Sequence, residues 1–198
     1  IFFRISRQET GPVSRLLFGQ FMERPSWGET GPEGALVPGT GDLLPEVVNF
    51  LQEMRIPIVR FPGGTDVDYM DWRDMVDNIP GREGDRPVSV GHRGHQVTNR
   101  FGYDEFLRLA EKLGWKVILV VNLRDALLNI RPVREAALHA AGLIAYATAP
   151  PGTKLPEGMP DWPSLRARNG HPEPYRVEYV QLGNETWAFR AKMLEIHG

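Results

Sequence analysis

The sequence predicts an α/β fold, in which this chain supplies about strands 1 to 4, with their helices, of a (β/α)8 TIM barrel. The first observation is that strand-like and helix-like hydrophobic patterns alternate along the chain, which is typical of a parallel sheet covered by helices. The second is that polar side chains stand at the ends of all four predicted strands, on the edge where barrel enzymes carry their sites. These side chains are Glu23, Arg60, Asn122, and Asn184 with Glu185.

Four short apolar segments are the predicted strands, at residues 16–21, 56–61, 117–121 and 177–182. The segment 117–121 (Val-Ile-Leu-Val-Val) is apolar at every position, as expected of a strand that is buried on both faces. A doubly wound sheet would show the same alternation of strands and helices. Because no Gly-x-Gly-x-x-Gly motif follows any strand, the dinucleotide-binding alternative is weakened and the barrel is favoured.

Three segments between the strands have the period of a helix. Residues 43–54 carry apolar side chains at spacings of three and four, and Asp42 stands where a helix cap is expected. Residues 103–113 repeat the pattern up to Gly114, and a third helix is predicted within residues 133–147. The 17 prolines and 21 glycines cluster in three predicted loops, residues 25–45, 80–95 and 150–175.

Composition excludes several functional classes. The 198 residues carry 23 basic and 25 acidic side chains, and this near balance points to neither nucleic acid nor an anionic membrane as a partner. The chain has no cysteine, which excludes a disulfide scaffold, a thiolate zinc site and a cysteine nucleophile. No apolar run approaches the ~20 residues that cross a bilayer. The compartment, cytoplasmic or extracellular, stays open.

Gly183-Asn184-Glu185 is the most informative candidate site in the chain. A strand that ends in Asn-Glu delivers a carboxyl group beside an amide, and a buried carboxyl of this kind can act as a general acid. The alternative is a surface glutamate that caps a helix beginning near Thr186. Glu23 is a candidate for binding a substrate hydroxyl or for serving as a second carboxylate, with a solvated glutamate as the alternative. Arg60 is a candidate partner for a neighbouring carboxylate, the alternative being a structural ion pair that braces Glu23 or Glu185.

Aromatic and histidine side chains are the other candidates in the loops that follow the strands. Aromatic faces there can stack on sugar rings, with ordinary loop anchoring as the alternative for each one. These aromatic residues are Trp27, Tyr69, Trp72 and Trp187. His92 and His95 have a spacing of three but lie in a Gly/Arg loop without a matching carboxylate, so no metal site is expected. No cofactor motif is present, and no cofactor is expected.

Five groups of residues, in order along nearly the whole chain, resemble glycoside hydrolase family 51. That family contains α-L-arabinofuranosidases and a minority of endoglucanase or xylanase members. One such motif would be weak, but five in the family's order and at plausible spacing are a specific signal. The matching segments are Phe-Gly-Gln-Phe-Met-Glu at 18–23, Val-Arg-Phe-Pro-Gly-Gly at 59–64 with Tyr-x-x-Trp-Arg-Asp at 69–74, Thr-Asn-Arg-Phe-Gly-x-x-Glu-Phe at 98–106, the stretch 165–179, and Gly-Asn-Glu-x-Trp at 183–187.

The resemblance implies a barrel and retaining hydrolysis through two glutamates. It places Glu185 as the acid/base and Asn184 as the residue that holds the 2-hydroxyl of the sugar. Glu23 matches a carboxylate that binds sugar hydroxyls, and Arg60 an arginine that supports the site. Thr65 stands at a sugar-contacting position where arabinofuranosidases usually have Asn or Cys.

The length predicts that this chain is incomplete. A (β/α)8 barrel needs ~250 residues, whereas four strands already occupy residues 16–198 here. The strand-like start of residues 1–15 is expected to belong to an accessory β-sandwich. By the resemblance, the family nucleophile lies near the end of strand seven, so the rest of the barrel is an expected partner, as a second chain or a missing segment. The other expected partner is a carbohydrate substrate. A homo-oligomer is a further option. The alternatives are an endo-acting β-glycanase of the same clan and a non-catalytic, carbohydrate-binding half-barrel.

Overall fold

The computed structural model describes residues 11–24 and 30–189. All four strands of its main sheet are parallel and lie side by side in chain order, β1-β2-β5-β6, as successive strands of a barrel do. The remaining two strands form a separate antiparallel pair in the long loop after β2. The strands are β1 (Gln20–Phe21), β2 (Ile58–Phe61), β3 (Ser89–Val90), β4 (Gln96–Val97), β5 (Lys116–Val121) and β6 (Tyr179–Leu182).

Within residues 11–24 and 30–189, five α-helices accompany these strands, and three of them match the predicted ones. They are α1 (Pro45–Glu53), α2 (Tyr103–Leu113), α3 (Arg124–Leu127), α4 (Val133–Thr148) and α5 (Trp162–Arg168). The helix predicted from residue 43 begins later, because Pro45 occupies the first turn, where its missing N–H costs nothing. Leu44, rather than Asp42, precedes that turn. The two short helices, α3 and α5, were not predicted.

The first predicted strand, residues 16–21, is mostly not a strand. Arg15–Phe18 forms a turn of 3-10 helix, in which the Ser14 hydroxyl accepts from the N–H of Leu16 at 3.2 Å. Only Gln20–Phe21 pairs with β2. The proposed accessory strand in residues 1–15 lies almost entirely outside the described residues. In the part of the chain that the structure describes, no helix is long and apolar enough to cross a membrane.

The core lies between the sheet and its covering helices and is centred on Phe61, which is fully buried. Its ring stacks on Phe106 of α2 at a centroid distance of 4.2 Å and meets Tyr103 edge-on at 5.4 Å. Because successive side chains of a strand point to opposite faces, the inward packing of Phe61 places Arg60 on the other face of the sheet. The packing of β2 therefore decides where Arg60 points.

Asp71 connects the loop after β2 to helix α4. Its carboxylate accepts from Arg73 Nε at 2.9 Å and from His139 Nε2 at 2.8 Å. Burial by itself would raise the pKa of Asp71, but the hydrogen bonds from His139 and Arg73 outweigh it and hold the pKa well below its usual range. The carboxylate therefore contributes stability that depends on pH.

We expect Asp71→Asn to lower the free energy of unfolding by about 1.5–3 kcal/mol at neutral pH, the usual worth of hydrogen bonds to a charged group. Because the pKa is lower in the folded than in the unfolded state, this stability is complete above the unfolded value near 4 and is lost as the pH falls below it. Urea denaturation at about pH 7 and about pH 3 should therefore show a smaller gap between wild type and variant in acid. An equal gap at both values would contradict the assignment, and the exposed Asp85→Asn variant is the control.

Candidate active site

Arg60, Thr65 and Asn184 meet at the carboxyl edge of the parallel sheet. Arg60 Nη2 donates to Asn184 Oδ1 at 2.5 Å, and Asn184 Nδ2 donates to Thr65 Oγ1 at 3.2 Å. Strand β5 lies between β2, which carries Arg60, and β6, which Asn184 follows, so these contacts span the sheet face. The amide of Asn184 is thereby held in one orientation, directly before Glu185.

Glu23 reaches this edge from the end of β1. Its Oε1 accepts from the N–H of Gly64 at 2.9 Å. A Cβ at Gly64 would lie 2.2 Å from Glu23 Oε1, and one at Gly63 would lie 2.5 Å from Glu23 Cγ. Gly63 is therefore required by the close approach of Glu23 Cα and Cβ, whereas a Cβ at Gly64 would displace the Glu23 carboxylate.

Arg60 carries a positive charge at this edge. Burial lowers its pKa, and the nearby Glu23 carboxylate opposes that shift. Among the described residues, the buried Nε of Arg60 has no hydrogen-bond partner. A buried donor without a partner is unfavourable, so an acceptor bound at this edge would gain a hydrogen bond from Arg60.

Glu185 sits in a tight turn that follows β6. The ladder between β5 and β6 continues to Gly183, whose N–H donates to Val121 O at 2.8 Å. Gly183 and Glu185 both have left-handed backbone, with φ of 63° and 50°. The side chain of Glu185 is exposed. The turn thus presents a carboxyl group at the open edge of the sheet, next to the fixed amide of Asn184.

The family model described as the alpha-L-arabinofuranosidase 1 domain matches residues 50–195, more than half of the chain. This chain belongs to the α-L-arabinofuranosidase family. The match to this family model and the likeness to solved GH51 structures confirm the resemblance to glycoside hydrolase family 51. They also confirm the barrel fold, of which the chain is an N-terminal part.

Named relatives and a solved structure agree with this membership. The chain is 29% identical to an intracellular exo-alpha-(1->5)-L-arabinofuranosidase of Halalkalibacterium halodurans, over 95% of this chain and 35% of that protein. It is 32% identical to a probable alpha-L-arabinofuranosidase C of Aspergillus niger, over 86% of this chain and 30% of that one. The structure of the GH51 arabinofuranosidase from Xanthomonas axonopodis pv. citri matches with a TM-score of 0.67 and 33% identity, covering 89% of this chain and 33% of that chain. The chain spans about a third of the length of these arabinofuranosidases.

Two of the aromatic residues predicted to bind sugar occupy opposite environments in this family member. Trp187, two residues after Glu185, is 73% exposed. Trp72 is 5% exposed, packs edge-to-face on Trp162 and donates from its indole nitrogen to the carbonyl of His139 at 2.9 Å. The structure therefore places Trp72 in the core rather than on the open surface of the site.

The other aromatic candidates lie around the loop after β2 or outside the described residues. Tyr69 is partly exposed, and the guanidinium of Arg124 lies 4.1 Å from its ring centroid. This cation–π contact is the loop anchoring that was the alternative for Tyr69. Trp27 lies outside the described residues.

His92 and His95 surround the buried carboxylate of Asp66. His92 Nδ1 lies 2.6 Å from Asp66 Oδ1, and His95 Nε2 lies 3.5 Å from Asp66 Oδ2. Within residues 11–24 and 30–189, no group of three or more His, Cys, Asp or Glu side chains is arranged to hold a metal ion. The two histidines thus engage a structural carboxylate.

Asp68 is the residue of this edge that sequence reasoning missed. It is buried, and it accepts hydrogen bonds from the backbone that follows β5 and from the backbone that follows β6. Its partners are main-chain N–H groups 55 to 116 residues further along the sequence, so no local motif identifies Asp68 as a site residue. The nearest signal is a third acidic residue, beside Asp66 and Asp71, in the short loop after Gly63-Gly64.

Proposed function

We propose that the protein carrying this chain is a retaining α-L-arabinofuranosidase that acts on arabinofuranosyl groups of plant cell-wall polysaccharides or oligosaccharides, with Glu185 as its general acid/base. The observation that carries the proposal is the fixed position of Asn184, held by Arg60 and Thr65 immediately before Glu185. The names of the relatives support the choice of sugar.

In this mechanism, Glu185 donates a proton to the glycosidic oxygen while the bond from that oxygen to the anomeric carbon breaks. A second carboxylate, about 5–5.5 Å away, forms a bond to the anomeric carbon. Glu185 then accepts a proton from the water that hydrolyses this glycosyl-enzyme. By the family resemblance, the second carboxylate belongs to strand seven, beyond the four parallel strands described here.

The remaining residues of the edge bind and orient the sugar. Asn184 holds the 2-hydroxyl, since its amide is already oriented by Arg60 Nη2 and Thr65 Oγ1. Glu23 accepts from sugar hydroxyls, and the unpaired Nε of Arg60 supports the same subsite. Groups held by hydrogen bonds before the substrate arrives need little reorganisation during the reaction.

Gly64→Ala tests the role of Glu23. The added methyl group overlaps Glu23 Oε1, so the carboxylate must leave the Gly64 N–H. We expect kcat/KM on nitrophenyl α-L-arabinofuranoside to fall about 10- to 100-fold, as misplaced binding groups usually cause. The backbone of Gly64 combines φ of -83° with ψ of -139°, outside the regions that residues with a Cβ commonly occupy, so urea denaturation must first show that the variant is folded. Unchanged kcat/KM in a folded variant would show that Glu23 does not bind the sugar.

We further propose that the rest of a barrel covers both edges of the sheet, either as a second chain or as a further segment. Strands β1 and β6 each pair on one side only within the described residues. Apolar side chains on and beside these edge strands are exposed, which is unfavourable for a finished sheet. They are Leu17, Phe18, Phe21, Tyr179, Val180 and Leu182.

The experiment for the proposed function is a panel of nitrophenyl glycosides offered to the complete protein that carries this chain. We expect turnover of the α-L-arabinofuranoside and far slower turnover of the β-D-xyloside and β-D-glucoside. Preference for the β-glycosides or their polymers would replace the proposal with an endo-acting β-glycanase, for which Thr65 at the sugar-contacting position leaves room. Binding of oligosaccharides without any cleavage would indicate a non-catalytic module.

A further inference from the structure

Asp68 joins three loops at the carboxyl edge of the sheet. It belongs to the turn Thr65–Asp68 that follows β2, and it is 2% exposed. Its Oδ1 accepts from the N–H groups of Leu123 and Arg124, after β5, at 2.8 and 3.2 Å. Its Oδ2 accepts from the N–H of Asn184, after β6, at 3.0 Å. One carboxylate thus ties the ends of three strands together.

The hydrogen bond between Asn184 and Asp68 directly follows the last hydrogen bond of the sheet. Gly183 still donates to the carbonyl of Val121, as a member of the ladder. One residue later, the N–H of Asn184 donates to Asp68 instead. Asp68 therefore sets the direction in which the backbone leaves β6.

The backbone of Glu185 needs such an anchor. Its φ of 50° lies in the left-handed region, which is unfavourable for a residue with a Cβ. A conformation of this kind persists only where surrounding contacts impose it. The anchored N–H of Asn184 lies one residue before Glu185, and the amide of Asn184 is fixed by Arg60 and Thr65. These contacts together fix the backbone from which the Glu185 side chain extends.

We propose that Asp68 is a positioning residue for proton transfer by Glu185. The inference rests on the proposed function, because it concerns the same acid/base. Asp68 does not touch the substrate; it holds the turn that aims the Glu185 carboxyl at the glycosidic oxygen. An aspartate suits this role because its two oxygens accept from all three N–H groups, whereas asparagine would turn an NH2 group toward at least one of them.

Asp68→Asn in the complete protein is the first test, and the readout is the dependence of kcat/KM on the leaving group. Phenolate is a poor leaving group, so cleavage of phenyl α-L-arabinofuranoside needs protonation of the glycosidic oxygen by Glu185. Dinitrophenolate is a good leaving group and departs from dinitrophenyl α-L-arabinofuranoside without protonation. We expect kcat/KM to fall about 100-fold for the phenyl substrate, as a displacement of about 1 Å of a catalytic group can cause, and far less for the dinitrophenyl substrate. A loss of stability alone would lower both values alike.

Asp104→Asn is the matched control. Asp104 is an equally buried carboxylate, and it accepts from the hydroxyl of Tyr146 rather than from the turns after the strands. We expect this variant to lose stability without a change in the ratio of the two kcat/KM values. Asp68→Ser, which removes atoms and adds none, gives the same comparison if Asp68→Asn does not fold.

Hydrogen exchange of the N–H groups of Leu123, Arg124 and Asn184 is the second readout, and it needs no substrate. We expect these amides to exchange faster in Asp68→Asn and at the wild-type rate in Asp104→Asn. Equal loss on both substrates, or unchanged protection of the Asn184 amide, would overturn the role of Asp68. A wild-type protein without turnover of either arabinofuranoside would overturn the proposed function instead, and the exchange data would still decide whether Asp68 anchors the turn.

Discussion

Glu185→Gln lowers kcat/KM for phenyl α-L-arabinofuranoside by about 10²–10⁴-fold, the usual worth of a positioned general acid/base. Glutamine has nearly the same shape as glutamate and should preserve the left-handed turn after Gly183. It has no proton to give to the glycosidic oxygen, so a poor leaving group departs slowly. Steady-state assays of the complete protein measure the effect.

The control for this prediction is Glu157→Gln, which removes an exposed carboxylate from the loop between α4 and α5. It should retain wild-type kcat/KM. If Glu185→Gln also retained it, Glu185 would be a surface residue of the turn, and the acid/base would have to be sought elsewhere.

Phe61→Ala has the largest expected effect on stability, a loss of about 3–5 kcal/mol in the free energy of unfolding. Phe61 is fully buried between the rings of Phe106 and Tyr103, and its removal leaves a cavity between the sheet and α2. Urea denaturation measures the loss. Phe50→Ala is the matched control, because Phe50 on α1 is 64% exposed and should cost less than about 0.5 kcal/mol. Similar losses in both variants would contradict the placement of the core.

Strand β2 also connects stability to the site. Phe61 faces the helices, and Arg60, on the opposite face, contacts Asn184. A cavity at Phe61 should therefore loosen the position of Arg60. The core packing of Phe61 and the hydrogen bond from Arg60 to Asn184 thus depend on the same strand.

The two central strands of the sheet could be predicted from the sequence because they are largely buried. The apolar run at 117–121 lies within β5, and β2 (Ile58–Phe61) occupies the last four residues of the strand predicted at 56–61. The segment 16–21 misled the prediction because its apolar side chains, among them Leu17 and Phe18, are exposed rather than buried. Hydrophobicity alone does not distinguish a strand from a turn whose apolar side chains are exposed.

The candidate site was predictable to the extent that strand ends converge. Glu23, Arg60 and Asn184 all follow from the rule that the carboxyl ends of parallel strands meet at one edge. Asp68 and Trp72 did not follow from it. The partners of Asp68 are main-chain N–H groups on distant loops, and the burial of Trp72 depends on its packing against Trp162 of α5. Neither is visible in local sequence.

The most direct measurement of the central claim is the product that Glu185→Ala forms from dinitrophenyl α-L-arabinofuranoside in the presence of azide. The leaving group departs without protonation, the second carboxylate forms the glycosyl-enzyme, and azide, which needs no general base, attacks the anomeric carbon. If Glu185 is the acid/base of a retaining arabinofuranosidase, azide accelerates turnover and the product is α-L-arabinofuranosyl azide, with the configuration of the substrate. Absence of a glycosyl azide, or wild-type turnover without azide, would contradict the claim.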